Sequence, residues 1–208
     1  MTAGEFYTRI FSPKTEASLN SAGLYELTEH SVTDSCVKLV DHISGAYRYD
    51  ENFTHKDLLN SEGIAGCRRR NDFILVNKEG DNIEVFLLEM KSSKDDFNRI
   101  RDQLQGGIAL ISFVHRMGVD KAIDIDSFKK VKFYAAVLLH TRRLSGFTDL
   151  ERLKQEVERR NADHERYDRI PGIICVEKNC VSVEQLRKHC KQVTLRWNEK
   201  NDFGEFPG

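Results

Sequence analysis

Glu89-Met90-Lys91 is the only place in this 208-residue chain where an acid stands two positions before a lysine. It closes an apolar run from Ile83 to Leu88. In an extended strand, residues two apart project to one face, so Glu89 and Lys91 enter one small volume. Asp72 opens the preceding apolar run, Phe73 to Val76, and reaches the same volume if the two runs pair in the right register. Two carboxylates and an ammonium then converge at a sheet edge. Hard oxygen ligands of this type bind Mg²⁺ or Mn²⁺, which hold a phosphate oxygen and lower the pKa of a bound water. Lys91 would orient or help deprotonate that water, or neutralise charge on the phosphate. The chemistry that fits is phosphodiester hydrolysis. The competing reading is a solvated Glu–Lys pair on an exposed strand, which is nearly neutral in energy. Phe86, Leu87 and Leu88 are continuously apolar, however, and a strand buried on both faces that ends abruptly in Glu-x-Lys is hard to explain as decoration.

Arg68-Arg69-Arg70 immediately precedes this constellation, and Lys94 follows it. These four side chains could hold a nucleic-acid backbone on either side of a scissile bond. Lys129, Lys130, Lys132, Arg142 and Arg143 bracket a later apolar run and would add to a basic rim or form an ordinary charged surface. Other chemistries find no support. Cys175, Cys180, His189 and Cys190 lack structural zinc spacing, and buried free thiols are the simpler reading. The seven histidines stand beside no nucleophile motif. The only adjacent glycines in the central region, Gly106-Gly107, lack the lysine of a phosphate loop.

The elements that must position these residues follow from periodicity. Residues 1–20 carry no clear pattern, read as an arm or a frayed start, and are assigned no element. A short helix is an option over 24–29, and Val32, Cys36, Val37, Val40 and Ile43 predict an amphipathic helix over 31–44. Residues 45–71 read as irregular. Phe73–Val76, a turn over 77–82 containing Gly80, and Ile83–Met90 form a β-hairpin. Ser92, Ser93 and Asp95 offer caps for a long helix whose stripe is Phe97, Ile100, Leu104, Ile108 and Ile111. Gly106 and Gly107 each weaken that helix by about 1 kcal/mol relative to Ala, which predicts close packing against something. Residues 131–140 form a buried strand. A charged helical segment follows over 147–168, then a strand at 172–176, a helix at 183–191 capped by Ser182, and a last strand at 193–197. The sum is an α/β sandwich around one mixed sheet.

Composition sets the bounds. Length suggests one domain over residues 1–208. Lys+Arg 32 against Asp+Glu 33 excludes a uniformly basic protein, so nucleic-acid binding needs a local basic face. Three prolines and the absence of an apolar run near eighteen residues exclude collagen-like, largely disordered and membrane-spanning readings. Five cysteines without a CxxC pair argue for reduced thiols, and the first residues resemble neither a signal nor a transit peptide. A cytoplasmic protein, or a nuclear one in a eukaryote, is the default expectation.

Asp72, the hairpin, Glu89-Met90-Lys91, the following helix with Gln103 and Gln105, and the strand at 131–140 together resemble the core of the PD-(D/E)xK nuclease superfamily. Restriction endonucleases, Holliday-junction resolvases and recombination exonucleases belong to it. The resemblance spans about residues 30–140. It implies a restriction-endonuclease-like mixed central β-sheet flanked by helices, here with a C-terminal β-α-β extension over about 141–208. It also implies that Asp72, Glu89 and the Met90 carbonyl ligate Mg²⁺ or Mn²⁺, and that Lys91 acts on the water or phosphate. An acid on the first helix often joins the metal site, for which Glu26, Glu29 or Asp34 would serve, with Glu62 another option. A helix glutamine near the site matches Gln103 or Gln105, and because these lie about 200° apart on a helix at most one faces it. Asn71 stands where the family often has proline. The implied function is a metal-dependent nuclease, with DNA favoured over RNA. The alternatives are a non-catalytic nucleic-acid-binding or assembly module on the same fold, and a nuclease that works only as a homodimer or with an activating partner or ligand.

Overall fold

The computed structural model describes residues 1–28, 36–40, 43–49, 71–91, 97–140, 172–176, 180–193 and 195. Its strands are β1 (Ser18–Leu19), β2 (Tyr25–Thr28), β3 (Cys36–Val40), β4 (Gly45–Arg48), β5 (Phe73–Glu79), β6 (Asn82–Lys91), β7 (Lys132–His140), β8 (Gly172–Val176), β9 (Cys180–Ser182) and β10 (Lys191–Val193). Its helices are α1 (Ala3–Tyr7), α2 (Phe97–Asp120), α3 (Ile125–Lys129) and α4 (Val183–His189).

The central sheet grows from the hairpin. Glu79 pairs with Asn82, leaving Gly80 and Asp81 as a two-residue turn with Gly80 at φ 60°, a left-handed conformation that glycine adopts without steric cost. β4 joins β5 antiparallel, while β6 and β7 run parallel through the α2 crossover. β8 pairs parallel with residues 136–140 of β7 and β10 antiparallel with residues 133–135, so the two share the edge of β7 away from β6.

The sheet is buried on both faces, which is why β5, β6 and β7 read as nearly continuous apolar runs. One face carries Ile74, Val76, Ile83, Val85, Leu87, Phe133, Ala135 and Val137, packed with Phe6 and Tyr7 of α1, Ile100, Leu104, Ile111 and Val114 of α2, and Phe128 of α3. The other carries Phe73, Leu75, Phe86, Leu88, Met90, Tyr134, Ala136 and Leu138. There it meets a second sheet of order β1-β2-β3-β9, through Tyr25, Leu27, Val37, Leu39 and Val181, with Leu186 of α4. Ser182 and Gln185 form a reciprocal capping box that starts α4. From α4, Arg187 bonds both carboxylate oxygens of the buried Glu84, with contacts from 2.7 to 3.0 Å, and also reaches Glu79 at 2.9 Å. Burial pushes the Glu84 carboxyl up, but the hydrogen bonds from Arg187 and Asn77 outweigh it and hold the group below the usual range.

The protein is a mixed α/β structure, and several elements depart from the sequence expectation. Residues 36–40 are a strand rather than part of a helix over 31–44, because β2 and β9 flank them and Val37 and Leu39 alternate into the core. Residues 25–28 are likewise a strand. Gly45–Arg48 is β4, not irregular chain, and the first residues are no loose arm: Ala3, Phe6 and Tyr7 are buried. Among the described residues, α1, α2 and α3 cover one face of the central sheet, whereas the second sheet and α4 cover the other. The C-terminal β-α-β unit exists, with its last strand at Lys191–Val193; of the expected 193–197, residues 194, 196 and 197 lie outside the described residues. β9 was not anticipated. The charged segment over 147–168 lies outside the described residues. Among the described residues no helix is long and apolar enough to cross a membrane.

One buried polar pair sits in the helix-side core. His115 of α2 is 2% exposed, and its Nδ1 shares a 2.9 Å hydrogen bond with the Tyr7 hydroxyl. Burial pushes the imidazole down to about 4, below its ordinary 6.5. The unfolded imidazole therefore takes up a proton as pH falls below 6.5, while the folded one stays neutral until about 4. Stability present at neutral pH is lost across that window, by about 3 kcal/mol at its lower end. Thermal unfolding of wild type and His115→Gln between pH 7.5 and 4 checks this: the variant should lack that component of acid destabilisation.

Candidate functional site

At one end of the central sheet, the C-terminal ends of β4, β6 and β7 meet the start of β5. The hairpin register pairs Phe73 with Leu88, so one step further Asp72 stands opposite Glu89. On the far side of β6, Glu89 is in register with Val137. Alternation from Ile74 and Leu87 puts Asp72 and Glu89 on the helix-covered face.

Backbone bonding shows how close the two carboxylates come. The Asp72 carbonyl accepts from the Tyr49 N–H at 2.9 Å, so the Asp72 peptide groups bond toward β4. Toward β6, Asp72 and Glu89 therefore form a non-hydrogen-bonded pair, the type in which facing side chains are closest. The Asp72 carboxylate extends the ladder by one bond, its Oδ2 accepting from the Met90 N–H at 2.7 Å. Glu89 is 0% exposed. Two acids opposed in this way repel when both are ionised, and a buried carboxylate keeps its charge only where positive charge compensates it.

α2 roofs this end of the sheet. Asn71 is fully buried, and its Oδ1 occupies the space that a Cβ on Gly107 would need. Of the two helix glycines expected to pack closely, Gly107 does so here. Gln103 lies one turn before Gly107, and its Oε1 is buried with no hydrogen-bond partner among the described residues. Gln105 is exposed on α2, turned away from the sheet.

The structure thus brings Asp72, Glu89 and the Met90 backbone together, with Gln103 on the covering helix. Lys91 ends β6 in register with Leu139; its side chain lies outside the described residues. So do Glu29, Asp34, Glu62, Arg68, Arg69, Arg70, Lys94, Arg142 and Arg143. Glu26 does not join the site: it sits on β2 of the second sheet, behind the opposite face of the central sheet, and alternates away from the buried Tyr25 and Leu27. Lys129 ends α3, Lys130 caps it and Lys132 opens β7, all at the far end of the sheet, so they form no rim here. The sequence reading misses Tyr49 as a neighbour of Asp72 and the contact of Asn71 with α2. The sequence signal for Tyr49 was the short aromatic run Ala46-Tyr47-Arg48-Tyr49, a strand pattern hidden among polar neighbours.

The donor set is chemically consistent with a hard divalent cation: two carboxylates, a backbone carbonyl and the buried amide oxygen of Gln103 all offer oxygen. Among the described residues, no three His, Cys, Asp or Glu side chains group together as a metal site. Comparison of the chain with protein-family models, with curated proteins and with solved structures finds no match.

The Asp72–Met90 bond has a measurable consequence. Asp72→Ala leaves the Met90 N–H without its acceptor and should cost about 1–3 kcal/mol, more than the few tenths to 1 kcal/mol gained by removing one of two opposed acids. Asp72→Asn keeps an acceptor and should lose less than half as much. Urea denaturation of the three proteins, compared at constant m-value, checks the order.

Proposed function

We propose that this chain is a metal-dependent nuclease of the PD-(D/E)xK type, hydrolysing phosphodiester bonds of nucleic acid, with DNA the favoured substrate. The observation that carries the reading is the register that sets Asp72 directly opposite the buried Glu89, two residues before Lys91. The surrounding order supports it: an antiparallel meander β4-β5-β6, a crossover helix α2, and β7 parallel to β6. The residues that resemble the nuclease core fall in sequence along these elements.

In this reading Asp72 and Glu89 hold the cation, with the Met90 carbonyl and the Gln103 amide oxygen as neutral donors. Mg²⁺ or Mn²⁺ supplies Lewis-acid charge at the phosphate and makes the attacking water more acidic. Lys91 orients that water or offsets charge on the phosphate as it develops. Water attacks phosphorus in line with the leaving oxygen, so one P–O bond forms while the other breaks. Arg68, Arg69, Arg70 and Lys94 flank the site in sequence and hold neighbouring phosphates.

The test is incubation of wild type, Lys91→Ala and Glu89→Ala with plasmid, linear duplex, single-stranded DNA and RNA, each with Mg²⁺, Mn²⁺ or EDTA. Wild type should cleave only with metal, and both variants should fall at least about 100-fold while keeping their circular dichroism and much of their binding. Cleavage retained by Glu89→Ala would refute the site. Metal-independent binding with no cleavage of any substrate would replace the nuclease with a binding module of the same fold.

A further inference from the structure

Asn71 is tied at two points. It is completely buried, its Nδ2 donates to the Phe73 carbonyl at 2.5 Å, and its Oδ1 lies where Gly107 of α2 would carry a Cβ. The first contact closes a small ring of chain around Asp72, because the side chain of the residue before it bonds the carbonyl of the residue after it. The second sets how near α2 approaches that ring. Oδ1 has no conventional donor among the described residues, and the group that faces it is the α-carbon of Gly107 with its second hydrogen, a weak C–H donor. Any side chain at 107 would overlap the Asn71 amide. Asn71 would then have to move and carry Asp72 with it, away from the Met90 N–H.

We infer that Asn71 is a positioning residue for Asp72, and that Gly107 is glycine so that α2 can clamp it. The clamp fixes the Asp72 carboxylate on β6 beside Glu89. Its role in metal affinity rests on the reading of Asp72 and Glu89 as a cation-binding pair, but its geometric content does not.

The contact predicts its own rescue. The Asn71 Cβ is 3.7 Å from the position of a Cβ at 107, ordinary van der Waals contact, so an alanine at 71 makes room for an alanine at 107. Gly107→Ala, Asn71→Ala and the double variant form a cycle with wild type. Amide exchange at Met90, read against Ile74 and Phe86 within the sheet, reports whether Asp72 is in place. Calorimetric titration with Mn²⁺ reports the pair's affinity. In wild type background Gly107→Ala should speed Met90 exchange at least about tenfold and weaken Mn²⁺ binding by a similar factor, although alanine is the better helix former. In the Asn71→Ala background the same substitution should change Met90 exchange less than about twofold. If Gly107→Ala does not fold, the double variant must still fold and protect Met90 better than Asn71→Ala with Gly107→Ala stability would allow if the effects were additive. Equal effects of Gly107→Ala in both backgrounds, or none in either, overturn the inference. Coupled Met90 exchange in a protein that binds no Mn²⁺ supports the clamp and refutes the cation reading instead.

Discussion

The two-residue turn at Gly80 and Asp81 sets the register of β5 against β6, and that register decides what faces what at the other end of the hairpin. Because side chains alternate with period two, a slip of one residue would send Glu89 to the face covered by the second sheet and set Met90 on the helix side. Such a slip would also turn Ile83, Val85 and Leu87 out of the cluster they share with α1 and α2. The apolar pattern and the turn therefore enforce one pairing, and the opposition of Asp72 and Glu89 is its consequence. The acids themselves contribute nothing favourable to that choice. They are carried into proximity by the burial of their neighbours.

Around the hairpin, two buried polar groups meet partners that tie separate elements together. Glu84 meets Arg187 and Asn77, which also fastens α4 to the middle of the chain. His115 meets Tyr7 and stays neutral, which joins α1 to α2. Gly107 costs α2 about 1 kcal/mol of helix propensity. In return the helix comes close enough to the sheet for Asn71 to be enclosed. The helices thus do more than cover an apolar face: α2 sets the depth at which Asn71 is held just before β5.

How much of this was legible in the sequence depended on how local its cause was. The hairpin, α2, β7 and the capped α4 could be read because periodicity, turn residues and caps all lie within each segment. That Asp72 stands opposite Glu89 is legible for the same reason, since one hairpin carries both. The stretch at 36–40 misled because Val32, Cys36, Val37, Val40 and Ile43 fit a helical stripe as well as a strand. What settles it is pairing with β9, about 140 residues further on, which no local pattern reports. Asn71 was seen only as a departure from a resemblance, and the helix glycine only as a weakness. Their contact joins them across the sheet–helix boundary, and neither residue alone announces it.

Mn²⁺-induced broadening of backbone amide signals tests most directly the proposal that Asp72 and Glu89 form a cation-binding pair at the end of β6. At sub-stoichiometric Mn²⁺, the amides of Asp72, Glu89 and Met90 should broaden first, those of β2 and of the start of β7 should persist, and Glu89→Gln should remove the effect. Broadening centred elsewhere, or the same pattern in Glu89→Gln, would contradict it.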